Sequence, residues 1–162
     1  MLNPANAPGF LIRRLQQISI QIFAEVTKGA KLSTIQYGAL QVIEQRPEID
    51  QVSLSQLLDT DRTTIARLVD RLFQSGLIVR KSNPNDRRSN CLSITPRGVA
   101  QLRKTEPCAD TSQQQLLSPL SSAERTEFMR LLRKLVFAHA DRRFGVADDG
   151  DSSVPKGRKR VA

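Results

Sequence analysis

The 162-residue chain is long enough to bury a core without disulfide or metal staples, and its composition (39% hydrophobic, 25% charged) is that of a globular protein. Aromatic residues make up 4%, with no Trp, which leaves little for single-strand recognition by base stacking. The net charge of +9 is concentrated: residues 53–104 hold ten Lys/Arg against four Asp/Glu, so two thirds of the excess lies in one third of the chain. A basic surface that local points to a polyanion partner, and the absence of a long apolar run or a basic helix with a bulky aromatic face argues against a membrane.

Residues 1–9, with Pro4, Pro8 and Gly9, read as a flexible arm. From Phe10 the apolar residues Leu11, Leu15, Ile18, Ile22 and Val26 recur at three- and four-residue steps and predict an amphipathic helix, with Gly29 as its stop. Ser33 caps a second helix, running to about Arg46 with Ala39, Leu40 and Ile43 inward, and Pro47 ends it.

Shorter elements follow. Ser53 is expected to cap a helix of under two turns carrying Leu54, Leu57 and Leu58. Asp59-Thr60 makes a tight turn, because Asp tolerates left-handed backbone. Asp61 caps the next helix, whose inner stripe is Ile65, Leu68, Val69 and Leu72, and whose outer face carries Thr63, Thr64, Arg67 and Arg71; Gly76 closes it. Helix, short turn, helix is a helix-turn-helix. Leu77-Ile78-Val79-Arg80 and Cys91-Leu92-Ser93-Ile94 then read as two strands around the turn formers of Ser82–Asp86, a β-hairpin wing with Arg87 and Arg88 at its tip.

Thr95-Pro96 opens a long helix to about Leu117, expected to kink at Pro107. Ser121 to Glu124 forms a capping box for a last helix, to about Arg143, striped by Phe128, Leu131, Leu132, Leu135 and Val136. Residues 145–162 read as a disordered basic tail. The fold class is thus mainly α with a small β-hairpin wing. A winged helix-turn-helix over 33–98 lies between a dimerisation helix at 10–32 and C-terminal dimerisation helices at 99–144.

A helix that reads the major groove needs short polar and basic side chains near its N-terminus, where they reach base edges. Arg62, Thr63, Thr64 and Arg67 meet that condition. Arg67 suits a bidentate guanine contact, the threonines suit thymine methyl groups or phosphates, and Arg71 suits phosphate. The competing reading is that Arg67 and Arg71 solvate an exposed face, with Asp70 as a pairing partner. The basic hairpin tip favours the first reading, since a ribbon beside the helix can enter the adjacent minor groove and Asp86 can hold one of the guanidinium groups in place.

Segment 61–98 resembles the MarR (multiple-antibiotic-resistance regulator) family in its recognition-helix pattern, the Gly76-Leu77 boundary, the Asp86-Arg87-Arg88 tip and the Leu92-x-x-Thr95-x-x-Gly98 exit. The order of helices extends the resemblance over about residues 10–143. It departs at Asp59, where the family often has Gly, and at Ser55 in the preceding helix. The resemblance implies that Arg88 enters the minor groove braced by Asp86. It also implies that the first and last helices interlock two subunits on a palindromic operator, and that a small aromatic acid or phenol releases a repressor from DNA.

For such a ligand Arg13 or Arg14 can pair with a carboxylate and Tyr37 can line the ring; the alternative for both arginines is solvation or contact between subunits. Two other functions compete with this one: redox control through Cys91 or Cys108, and non-specific architectural DNA binding. One histidine, His139, and no nucleophile–His pair or phosphate loop leave metal control and enzymatic chemistry without support, so no cofactor or metal is expected. Two cysteines and an N-terminus without signal-peptide character lead to the expectation of a cytoplasmic protein.

Overall fold

The computed structural model describes residues 6–28, 32–82 and 90–139. Helix α1 (Pro8–Val26) begins two residues earlier than its apolar stripe, because Pro8 sits in the first turn, where its missing N–H would have had no partner. Helix α2 (Thr34–Gln45) is held by a complete capping box: the Ser33 hydroxyl accepts from Gln36 N (3.3 Å) and the Gln36 side chain accepts from Ser33 N (2.9 Å).

The short helix α3 (Gln51–Leu57) corrects the sequence reading, since its cap is Asp50 and not Ser53. Asp50 Oδ1 accepts from the backbone of Val52 (2.8 Å) and Ser53 (2.9 Å), and the Ser53 hydroxyl donates to Asp50 Oδ2 (2.7 Å). The reason is a two-residue strand that local pattern does not reveal. Strand β1 (Ile49–Asp50) pairs with β3 (Asn90–Ile94), in register Ile49 to Leu92 and Asp50 to Cys91, and so keeps Asp50 extended at the helix start. Of the leucines of this helix, Leu57 is exposed, while Leu54 is fully buried.

Asp59 turns the chain with φ +46, as anticipated for this position, and Asp61 caps helix α4 (Arg62–Gln74). Gly76 ends it with φ +68, a conformation that a Cβ disfavours. Strand β2 (Ile78–Ser82) pairs antiparallel with β3, giving a three-stranded sheet of order β1-β3-β2. The hairpin tip, with Asp86, Arg87 and Arg88, lies outside the described residues, as does the tail after residue 139.

Helix α5 (Pro96–Leu116) is capped by Thr95, as read from the sequence, and continues as one helix through Pro107, where the sequence predicts a kink. The Thr95 hydroxyl accepts from Gly98 N (3.0 Å) and donates to Gly76 O (2.7 Å), tying the end of α4 to the start of α5. Helix α6 (Ser122–Ala138) carries the expected Ser121–Glu124 box.

One core unites these elements. Ala39, Leu40 and Ile43 of α2, Leu54 of α3, Ile65, Leu68, Val69 and Leu72 of α4, Ile78 and Leu92 of the sheet, and Leu102 of α5 form a single buried cluster. The buried line of α5 is Gly98, Leu102, Thr105, Ala109 and Ser112, mostly small residues that let α1 and α2 pack close. The outer helices differ. Of the α1 stripe, Leu11 and Ile18 are exposed and only Phe23 of the helix is buried. Helix α6 buries nothing, and Leu131, Leu135, Val136 and Phe137 all face outward.

Candidate nucleic-acid interface

The sequence of α4 separates into two faces. Ile65, Leu68, Val69 and Leu72 anchor it to the core, while Arg62, Thr63, Thr64, Arg67 and Arg71 are all exposed. Arg67 lies four residues after Thr63 and three after Thr64, and Arg71 four after Arg67, so these residues share one side of the helix.

The N-terminus of this helix is fixed by Asp61, whose Oδ1 accepts from Thr64 N (2.9 Å). The Thr64 hydroxyl and backbone hold the Asp61 carboxyl below its ordinary range. Thr64 therefore has a structural partner in the cap that the sequence places at Asp61. The side chains of Arg62, Arg67 and Arg71 make no ion pair or hydrogen bond among the described residues.

Asp70, the carboxylate considered as a partner for Arg67, is engaged elsewhere. It accepts a hydrogen bond from Nη2 of Arg80, on β2. The Arg80 guanidinium also lies over the ring of Phe73, 5.0 Å from its centre, and its Nε is buried without a hydrogen-bond partner. This helix-to-strand contact had no signature in the sequence, because residues ten apart have no fixed spatial relation once the chain leaves the helix.

The residues named for a small-molecule effector are not assembled within one protomer. Tyr37 sits against Phe23, ring centres 5.8 Å apart, and its hydroxyl accepts from Gln41 (3.2 Å). Burial first, then the Glu106 and Asp110 carboxylates, raise the Tyr37 phenol above its ordinary value, with Arg103 opposing. Arg103 is itself paired with Glu44 at 2.7 Å. Arg13 and Arg14 are exposed, ten and nine positions from Phe23 on α1, or about 14–15 Å along the helix.

Cys91 is buried in β3, where an oxidant has poor access, and Cys108 is half-buried on α5. His139 is the exposed C-cap of α6. Among the described residues no group of His, Cys, Asp and Glu is placed to hold a metal ion, and no helix is long and apolar enough to cross a membrane.

Helix-turn-helix α3–α4 followed by the β2–β3 ribbon, with an uncommitted basic face on the second helix, defines a winged-helix DNA-binding protein. The sequence profile of the MarR family matches residues 32–89, from the start of α2 into the wing. A Thauera aromatica protein named as a transcriptional regulatory protein for the hcr operon is 38% identical over 128 residues, spanning 78% of this chain and 77% of its own length. The chain belongs to the MarR family and is a transcriptional regulator.

The transcriptional repressor NicR of Pseudomonas putida is 29% identical over 79% of this chain and 81% of its own length. A solved structure of BpsR from Bordetella bronchiseptica, whose DNA binding is described as regulated by 6-hydroxynicotinic acid, superposes with a TM-score of 0.76 at 27% identity, covering 81% of this chain and 94% of that one. MarR-family regulators are DNA-binding proteins and not enzymes.

Proposed function

We propose that this protein is a repressor that binds a palindromic duplex as a homodimer and is released by a small aromatic acid or phenol. The observation that carries the DNA reading is the exposed α4 face, on which Arg62, Arg67 and Arg71 have no partner among the described residues. Arg67, in the second turn, reads a base pair; Thr63 and Arg62 lie beside it at the groove, and Arg71 meets phosphate. Thr64 adds a contact only as far as its bond to Asp61 leaves it free. Asp86, Arg87 and Arg88 complete the interface as the wing tip.

The homodimer is supported by the outward apolar residues of α1 and α6, which a second copy would bury. An aromatic ligand is supported by the regulation described for BpsR and by the tilted contact of Tyr37 with Phe23 where α1 meets α2; Arg13 or Arg14 would then come from the partner subunit to meet a carboxylate. Burial of Cys91 argues against the redox alternative.

The test begins by selecting duplexes from a random pool. A palindrome with half-sites about one helical turn apart is expected, and equal affinity for unrelated duplexes at physiological salt would favour architectural binding instead. Arg67→Ala should then relax the choice at one base pair per half-site, by about 1–3 kcal/mol; an equal loss for every sequence would reassign Arg67 to phosphate. For the effector, aromatic acids and phenols are screened by thermal shift, because a ligand of the native state raises the melting temperature. Ligands that stabilise the protein without releasing DNA would contradict the induction model.

A further inference from the structure

Asp70 is the only carboxylate within α4, and it lies three residues beyond Arg67, a spacing at which side chains on a helix are neighbours. Left alone, that carboxylate would compete with DNA for the Arg67 guanidinium. The fold instead supplies another cation. Arg80, on the adjacent strand, donates to Asp70 and is itself held in place by stacking on Phe73, one turn further along the same helix. Arg80 is the better-buried member of the pair, its side chain 26% exposed against 56% for Asp70, so it is the fixed partner. A planar guanidinium can stack on the ring and present its N–H groups to the carboxylate together, which an ammonium cannot.

We propose that Arg80 is a positioning residue for DNA recognition: it sequesters Asp70 and thereby keeps Arg67 free to read the operator. The inference rests on the reading of Arg67 as a base-contacting residue. It differs from a mechanical role, in which the Asp70–Arg80 pair braces the wing strand against α4, because the two roles make opposite demands on Asp70. A brace needs the carboxylate. A sequestering residue is needed only because the carboxylate is there.

The experiment uses the full chain and the duplex recovered by selection, and measures discrimination between that duplex and one changed at the base pair sensitive to Arg67→Ala. Arg80→Met keeps an unbranched side chain over Phe73 without the charge, and melting temperatures are recorded for every variant. Arg80→Met is expected to lose discrimination at the same base pair as Arg67→Ala, by up to the roughly five- to 150-fold range of a good base contact. Asp70→Asn alone should keep wild-type discrimination. Adding Asp70→Asn to Arg80→Met should restore most of what Arg80→Met loses.

A double variant as impaired as Arg80→Met would overturn the proposal, and so would loss of discrimination in Asp70→Asn alone, which can be read even if Arg80→Met folds poorly. An Arg67→Ala protein indistinguishable from wild type would overturn the reading of Arg67 and the inference with it. Impaired Arg67→Ala beside an unrestored double variant would overturn the inference only.

Discussion

Gly98→Ala tests the packing that sets α5 against the DNA-binding core. Gly98 lies in the first turn of α5, and a Cβ there would stand 2.1 Å from the carbonyl oxygen of Leu77, 2.7 Å from Ile94 Cγ1 and 3.1 Å from Leu77 C. Contacts below 3.0 Å require movement, so α5 and the Leu77 backbone must separate by 0.9 Å (3.0 less 2.1). Leu77 cannot easily give way. Its side chain is buried, and its carbonyl accepts from Thr95 N at 3.0 Å. Overpacking of this kind costs about 1–3 kcal/mol, and loss of the Thr95 hydrogen bond adds about 1 kcal/mol. The gain from replacing Gly in a helix is at most about 1 kcal/mol. The net expectation is destabilisation by about 1–3 kcal/mol, and at roughly 2–4 °C per kcal/mol for a chain of this size the midpoint becomes a fall of about 4–8 °C.

Gly38→Ala is the internal control. Its Cβ would meet only Leu58 Cδ2, at an ordinary 3.8 Å, so the same substitution in α2 is expected to stabilise by up to about 1 kcal/mol. Both variants are melted at one fixed protein concentration, because association also shifts the midpoint. Gly98→Ala melting at or above wild type, or the two variants falling alike, would refute the reasoning.

Stability should decline in acid, with a defined sign. First-turn hydrogen bonds hold the carboxyls of Asp50, Asp61 and Glu124 below their ordinary values of 3.8, 3.8 and 4.5. Their contribution is therefore complete above those values and lost as pH falls through the lower folded-state values. Urea midpoints measured down the acid range should show the decline, and Asp50→Asn should flatten it; an unchanged acid slope in that variant would remove Asp50 from the account. Leu135→Asp places a charge on the outward face of α6, where Leu135 is 55% exposed, and should convert the proposed homodimer to monomer in sedimentation velocity at low micromolar concentration. A dimer that persists would place the interface elsewhere.

The elements legible in the sequence are those whose determinants lie within a turn of one another. Ser33 with Gln36, Ser121 with Glu124, Asp61 with Thr64 and Thr95 with Gly98 are caps made between residues three apart, and each starts its helix where the residue pattern places it. The Leu92-x-x-Thr95-x-x-Gly98 motif was visible as spacing, and the fold supplies its reason: Leu92 fills the core, Thr95 links α4 to α5, and Gly98 admits the Leu77 carbonyl. The α3 cap was missed for the converse reason. Asp50 is held ready by pairing with Cys91, forty-one residues away, and no local rule reports a bridge that distant.

Periodicity has a more instructive failing in α1 and α6. A three–four apolar stripe establishes that a helix has an oily side, but burial depends on what faces it, and the same rule that placed Ile65, Leu68, Val69 and Leu72 in the core placed Leu11, Ile18, Leu131 and Leu135 on the surface of the protomer. The candidate site follows the same division. Which side of α4 faces out could be read from its buried stripe, because the helix is its own ruler. Which exposed cations are free could not, since that depends on where Asp70 finds its counter-ion, and the answer, Arg80, lies on a different element. A recognition face is therefore defined by two conditions: side chains that point outward, and neighbouring charges that are already satisfied. Only the first is written in the spacing of residues along the helix.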